Sequence, residues 1–218
     1  ESHNGVMRRF RHQSFRVSKH LIHKRSHPIW LIGKVLGEFI KERQIISIAW
    51  KWLGESKIHA LALPMLASYR RDPDNNREIV RTLHRLLSDA DIAVGHNIDE
   101  FDDKMANTGF IKLGLNPPPP HKTVDTLKVA RRHFRFNSNS LGDLGKFLGL
   151  GEKVKHWGFA LWERCMRGDA KAWALMVRYN KGDVRLLEKV YLRLRPWMHN
   201  HPIMNAADKH ITCPTCRS

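Results

Sequence analysis

The stretch Asp91-Ile92-Ala93-Val94-Gly95-His96 constrains the fold most. An apolar run this short, closed by glycine, is too brief for a helix and reads as a strand buried on both faces. A helical pattern follows from about Asp99 to Leu113, so the two form a β-then-α unit with helices layered on a sheet. Upstream, Ile45-Ile46-Ser47-Ile48-Ala49-Trp50-Lys51-Trp52 is rich in β-branched and aromatic residues. With the turn Leu53-Gly54-Glu55-Ser56 and a second strand from Lys57 to Leu63, it predicts a hairpin. Ile79, Leu83, Leu86 and Leu87 recur at helical spacing behind the capping residues Asp74-Asn75-Asn76, which predicts a helix through Ser88. Past the break at Pro117 to Pro120, Thr123-Val124-Asp125 is extended. Helices are expected at about Thr126 to His133, Leu141 to Leu148, Phe159 to Met166 and Ala170 to Leu194. The order predicts an α/β domain with a mixed sheet flanked by helices, and no repeat of 20 to 50 residues is present.

A chain of 218 residues suits one domain, expected over 29–202, and 42% hydrophobic with 27% charged residues excludes fibrous and wholly disordered classes. No run approaches the roughly 18 apolar residues that span a bilayer. The opening residues lack the apolar core of a secretory signal, so the expectation is a cytoplasmic protein without a membrane partner. Three cysteines, Cys165 alone and Cys213 with Cys216, do not make a disulfide framework.

Charge points to a partner. Lys and Arg number 38 against 21 Asp and Glu, a net +17. Residues 1–44 hold 10 of those bases and 3 of the acids, which leaves 28 against 18, or +10, for the rest. A basic body of this size implies a polyanion, or else a solvated surface that keeps the protein in solution.

Two stretches carry candidate chemistry. Asn97-Ile98-Asp99-Glu100-Phe101-Asp102 lies where the buried strand ends and a helix begins, the place where α/β folds bind ligands. Its acids also suit the helix dipole alone. Tyr179 and Asp183 are four residues apart, hence on one helix face, where a carboxylate and a phenol can share one site. A tyrosine at the core edge beside a solvated aspartate is the competing reading. Lys128, Arg131, Arg132 and Arg135 concentrate charge on one further helix, as a phosphate-tracking stripe or as a solvated face.

Taken together, Asn97-x3-Phe101-Asp102, Asp125-Thr126-Leu127 with Ser140-Leu141 and Leu148-Gly149-Leu150, and Tyr179-x3-Asp183 resemble the DEDD family of 3′-to-5′ exonucleases. The chain is most similar to the tyrosine-bearing branch, on a ribonuclease H-like fold, and within it to small phage and bacterial exonucleases. The match covers about residues 44–202. The resemblance implies hydrolysis of phosphodiesters by two Mg²⁺ or Mn²⁺ ions held by four carboxylates. By that resemblance Asp102 and Asp183 are metal-binding catalytic acids and Tyr179 orients the attacking water. Asn97 and Phe101 shape the site around the terminal nucleotide. The implied partners are single-stranded DNA or 3′ ends of DNA, with the choice between DNA and RNA left open.

One motif is missing. The family's first Asp-x-Glu should lie on an opening strand, yet no aspartate precedes Asp72, and Glu38 and Glu42 are the nearby acids. A truncated or frame-shifted gene model, a catalytically dead descendant and an altered site using Glu38 all account for this. The first is favoured, because residues 1–28 hold five histidines, no aspartate and no apolar period, and are expected to be disordered or wrongly assigned. The sheet is then expected to lack its central strand and to expose unpaired edges. At the other end, in a tail over 203–218, Cys213-Pro214-Thr215-Cys216 is half of a zinc ribbon, a Zn²⁺ site completed by His201 and His210, or two idle thiols. The rival functions are a non-catalytic nucleic-acid-binding module and a zinc-bearing interaction protein.

Overall fold

In a computed structural model of the chain, the backbone is described for residues 18–24, 27–38 and 41–202, and side chains for residues 44–202. Six strands, β1 (Ser18–Lys24), β2 (His27–Glu38), β3 (Lys41–Trp52), β4 (His59–Ala62), β5 (Ile92–Gly95) and β6 (Lys122–Asp125), form one sheet in the order β4-β3-β2-β1-β5-β6. β2 also pairs in parallel with β5. The expected hairpin is β3 with β4, antiparallel from Ser47 opposite Ala62 to Trp50 opposite His59. β5 and β6 are parallel, with Gly95 beside Asp125, so the ends of these two strands open on one side of the sheet.

Two expectations are corrected here. Part of the segment 1–28 lies in the sheet, because β1 runs antiparallel to both β2 and β5. The centre of the sheet is filled rather than missing, since β1 and β2 stand between β3 and β5. Ile29-Trp30-Leu31-Ile32 and Val35-Leu36 are residues a strand favours, and that run suffices without an aspartate. β2 carries one acid, Glu38, at its last position. Residues 1–17 and 203–218 lie outside the described residues, and with them Cys213, Cys216 and His210.

Six helices flank the sheet among the described residues: α1 (Arg77–Ser88), α2 (Asp103–Lys112), α3 (Thr126–His133), α4 (Leu141–Phe147), α5 (Phe159–Met166) and α6 (Ala170–Leu194), with α3, α4 and α5 packed on α6. β3 is buried on both faces, and its period of two explains how. Ser47 and Lys51 share one face and meet α6, Ser47 through the Asn180 amide and Lys51 through an ion pair with Glu188. Ile46 and Ile48 point the other way and have no exposed surface. α1 and α2 also pack on this strand. Asn76 lies just before α1 and donates its side-chain amide to Ile45 O at 3.1 Å, tying the helix start to β3 instead of capping it.

α6, which carries the candidate residues Tyr179 and Asp183, is closely packed. A Cβ at Gly182 would sit 2.8 Å from Val154 Cγ2, and one at Gly145 would sit 2.7 Å from Gly151 O. A mid-helix glycine costs about 1 kcal/mol against alanine. At Gly182 that cost admits the loop over 151–158 against the helix.

Candidate active site

The turn after β5 is built by hydrogen bonds. Asn97 has φ 71°, the only positive φ of a non-glycine among the described residues, a conformation asparagine tolerates better than most. Its backbone N–H donates to Asp125 Oδ1 at 2.8 Å. The same oxygen accepts from Leu127 N at 2.9 Å and Lys128 N at 3.4 Å, so Asp125 caps α3 and holds the turn with one carboxylate. The buried His96 ring spans Thr126 Oγ1 at 2.9 Å and Asn139 O at 3.0 Å.

The expected helix from Asp99 opens as a π-helical turn over Ile98–Asp102, packed against β1, β6 and α2. Such turns recur at functional sites. Asp102 is its last residue and is buried, while Phe101 is half-buried against the core. Asp99 and Asp125 are close enough to Asp103 to disfavour its ionisation, and Asp99 acts the same way on Asp125. Burial, then the charges of Asp99 and Asp125, push Asp103 up to about 7. Asp125 is also raised by burial, against the pull of the three N–H groups it accepts from. Lys128 offsets part of this charge through an ion pair with Asp99 at 2.8 Å.

Tyr179 and Asp183 meet on α6 as their spacing predicts. Asp183 has a fully buried side chain, and Tyr179 is 2% exposed. Burial raises the phenol's pKa first, and the Asp183 charge and a hydrogen bond to Asp183 raise it further, so Tyr179 stays protonated and donates. A solvated aspartate is therefore excluded at this position. Sequence reading missed two neighbours. Lys153 Nζ stands 3.8 Å from Asp183 Oδ2 and 5.9 Å from the centre of the Tyr179 ring. The His156 ring lies 4.4 Å from the Tyr179 ring. Gly182, a glycine inside a strongly helical pattern, was the available signal for a loop crossing here.

The basic residues separate by environment. Lys128, Arg131, Arg132 and Arg135 are all exposed, with Lys128 engaged by Asp99. His201, considered above for zinc, is buried and hydrogen bonded to Tyr191 at 2.7 Å and Pro202 O at 2.9 Å. Among the described residues no set of three His, Cys, Asp or Glu side chains is arranged to hold a metal ion. Hard oxygen donors suited to Mg²⁺ or Mn²⁺ are available from Asp102 and Asp183, but a four-carboxylate cage is not closed by the described residues.

Known proteins match parts of this chain. Two proteins of Arabidopsis thaliana share sequence with the chain: Protein NEN3, 34% identical over 65 residues, and Protein NEN2, 30% identical over 79. The matched stretches cover 29% and 35% of this chain and only 13% and 16% of those proteins. Among solved structures, Thermus thermophilus RuvC aligns over 81% of this chain and 95% of its own at 12% identity, with a TM-score of 0.22. The profile of the RNase_H_2 family matches residues 42–195, from β3 to the end of α6, well over half of the sequence. With a mixed sheet flanked by helices and an aspartate-bearing helix closing the domain, the chain belongs to the RNase H superfamily.

Proposed function

We propose that this domain is a 3′-to-5′ exonuclease of the tyrosine-bearing DEDD branch, acting on DNA 3′ ends and secondarily on RNA, with Asp102, Asp183 and Tyr179 in the site. The buried Tyr179–Asp183 pair is the observation that carries this reading. A carboxylate with no exposed surface costs stability unless it is compensated, and a tyrosine placed one helical turn away supplies a proton donor there. A divalent cation bound by Asp102 and Asp183 would polarise the scissile phosphodiester and the attacking water. The chain's own residues do the rest. Tyr179 keeps its proton and orients an oxygen beside Asp183. The Lys153 ammonium, with a third of its side chain exposed, offers a positive charge to a phosphate. Exposed Arg131, Arg132 and Arg135 attract the strand by counterion release, so binding weakens steeply with salt.

A second reading has its own support: the chain as written binds nucleic acid and cleaves it poorly. No third carboxylate joins Asp102 and Asp183 among the described residues, and a lysine lies next to Asp183. Degradation of a 3′-labelled oligonucleotide with Mn²⁺ tests both. The exonuclease reading expects slow, stepwise trimming from the 3′ end that Asp183→Asn abolishes and Tyr179→Phe only reduces. Salt-sensitive binding with no trimming favours the second reading, and full trimming by Asp183→Asn refutes the site.

A further inference from the structure

The loop over 151–158 and α5 carry an aromatic residue that the proposed chemistry leaves unused. Trp157 is 49% exposed, although tryptophan is large and apolar. The Arg164 guanidinium lies against its ring at 4.3 Å from the centroid, a cation–π contact. Arg164 is itself fixed. Its Nε donates to Asp169 Oδ2 at 2.7 Å and its Nη2 lies 2.5 Å from the same oxygen. Asp169 caps α6 by accepting from Lys171 N at 2.9 Å and Ala172 N at 3.1 Å. The indole is thus tied through one arginine and one aspartate to the start of the helix that bears Tyr179 and Asp183.

A second tie comes from the loop. His156 turns inward, with its ring on Tyr179 at 4.4 Å and near Trp162 at 5.4 Å. Gly158, at φ 60°, donates its N–H to His156 Nδ1 at 3.1 Å and turns the chain immediately after Trp157. Adjacent residues therefore face two ways: His156 packs on the phenol of the candidate site, and Trp157 stands at the surface one residue away. Lys155, two residues before it in the chain, is exposed like Arg164, and Lys153, four residues before it, reaches Asp183 Oδ2 at 3.8 Å.

An exposed, immobilised indole among cations is a poor seat for an apolar protein segment, because the surrounding charges would lose water without partners. It suits a strand whose phosphates meet the cations while a base meets the ring. We propose that Trp157, held on Arg164, is a stacking platform for an unpaired base of a single-stranded nucleic acid whose 3′ end enters the Tyr179–Asp183 site. The direction of the strand rests on the exonuclease reading; the stacking does not.

Binding measured by fluorescence anisotropy on the full chain, with EDTA present so that nothing is cleaved, tests it. The probes are a single-stranded DNA oligonucleotide, the same oligonucleotide with abasic sugars at its three 3′-terminal positions, and an RNA of the same sequence. Trp157→Ala is expected to weaken binding of the intact DNA about tenfold, the loss of one stacked base. The abasic strand should bind more weakly than the intact one and be indifferent to the substitution. Trp157→Leu, which keeps an apolar side chain without a π face, should behave like Ala, and Trp157→Phe should stay within about threefold of the parent. An equal loss with RNA assigns the platform to bases in general, and a loss with one sugar only assigns it to that nucleic acid. Intact and abasic strands weakened alike, Trp157→Ala and Trp157→Leu binding like the parent, or a parent chain that binds no single strand each overturn the platform. Base-dependent binding without Asp183-dependent trimming instead refutes the exonuclease reading and leaves the platform standing.

Discussion

The two acidic neighbourhoods of this domain are built on opposite terms. At the ends of β5 and β6, Asp99, Asp103 and Asp125 crowd together, and the charges of Asp99 and Asp125 raise the cost of ionising Asp103. On α6, Asp183 is more deeply buried, yet its neighbours are a lysine at 3.8 Å and a protonated phenol. Like charges gathered at one place need protons or an external cation to relieve them. The first cluster is partly relieved by structure, because Asp125 accepts three backbone N–H groups and Lys128 answers Asp99. Density of acid therefore does not by itself single out the proposed α6 carboxylate. The α6 aspartate stands out instead by having a side chain with no exposed surface and a tyrosine one turn before it.

The largest effect should come from giving the α6 carboxylate the partners that the described residues do not provide. β2 lies level with β5, Ile29 beside Ala93 and Trp30 beside Val94, and carries no acid before Glu38. Asp-x-Glu can be written there in two ways, as Trp30→Asp with Ile32→Glu or as Leu31→Asp with Gly33→Glu. Because a strand alternates, the two pairs point to opposite faces of the sheet. One pair is expected to raise Mn²⁺-dependent trimming by at least about a hundredfold while the other leaves it unchanged. Adding Asp183→Asn to the active version should return it to background. Equal gains from both pairs, or a gain that survives Asp183→Asn, would place the chemistry elsewhere.

Much of this architecture was legible from sequence, for identifiable reasons. β5, α5 and α6 follow directly from a short apolar run and from sustained helical periodicity. Asp102, Tyr179 and Asp183 are proposed from motif order, which survives where single motifs are weak, and the fold buries all three. Contacts between distant segments were not legible: nothing local in Lys153 or His156 announces that the loop lies on α6, and only the cramped Gly182 hints at it. Ser18–Lys24 and the strand after it went unread because histidines, lysines and glycines interrupt their apolar residues. The role of Asn97 was likewise hidden. Its position follows from a left-handed backbone and an N–H bond to Asp125, and its proposed contact with a nucleotide is additional to that.

A second expected effect depends on pH and lies further along α6 than Asp183. Near the end of α6, Tyr191 and His201 share a buried hydrogen bond of 2.7 Å. His201 Nδ1–H donates to Pro202 O, so in the neutral ring Nε2 accepts from the Tyr191 hydroxyl. Burial and the Arg195 charge lower the His201 pKa from 6.5 to about 4, and burial lifts the Tyr191 phenol to about 12. Unfolding frees the imidazole to bind a proton below pH 6.5, whereas the folded state refuses one until about pH 4. Stability is thus intact above 6.5 and falls as the pH drops through that window. Between the upper edge and about pH 5 the loss should be about 2 kcal/mol, measured by urea unfolding, and His201→Gln should flatten it. A slope unchanged in His201→Gln would assign the acid sensitivity to other groups.

The smallest effect sharpens the comparison most, because two terms compete with opposite signs. Asp125 stabilises the turn after β5 by accepting from Asn97 N and α3 by accepting from Leu127 N and Lys128 N. The same charge raises Asp103. Asp125→Ala removes both, and the lost cap should dominate, at about 1.5 kcal/mol, because the cap's donors lie at a buried helix start. Asp125→Asn retains an oxygen for the three donors and removes the charge, so it should cost less than the Ala substitution, and its new amide can donate to the neighbouring carboxylates. In both variants the Asp103 pKa should drop from about 7 toward 3.8. Carboxyl carbon shifts followed by NMR against pH would read that change directly. An Asp103 pKa unmoved by either substitution would mean that burial and Asp99 hold it up, and that Asp125 crowds Asp103 in space without acting on its charge.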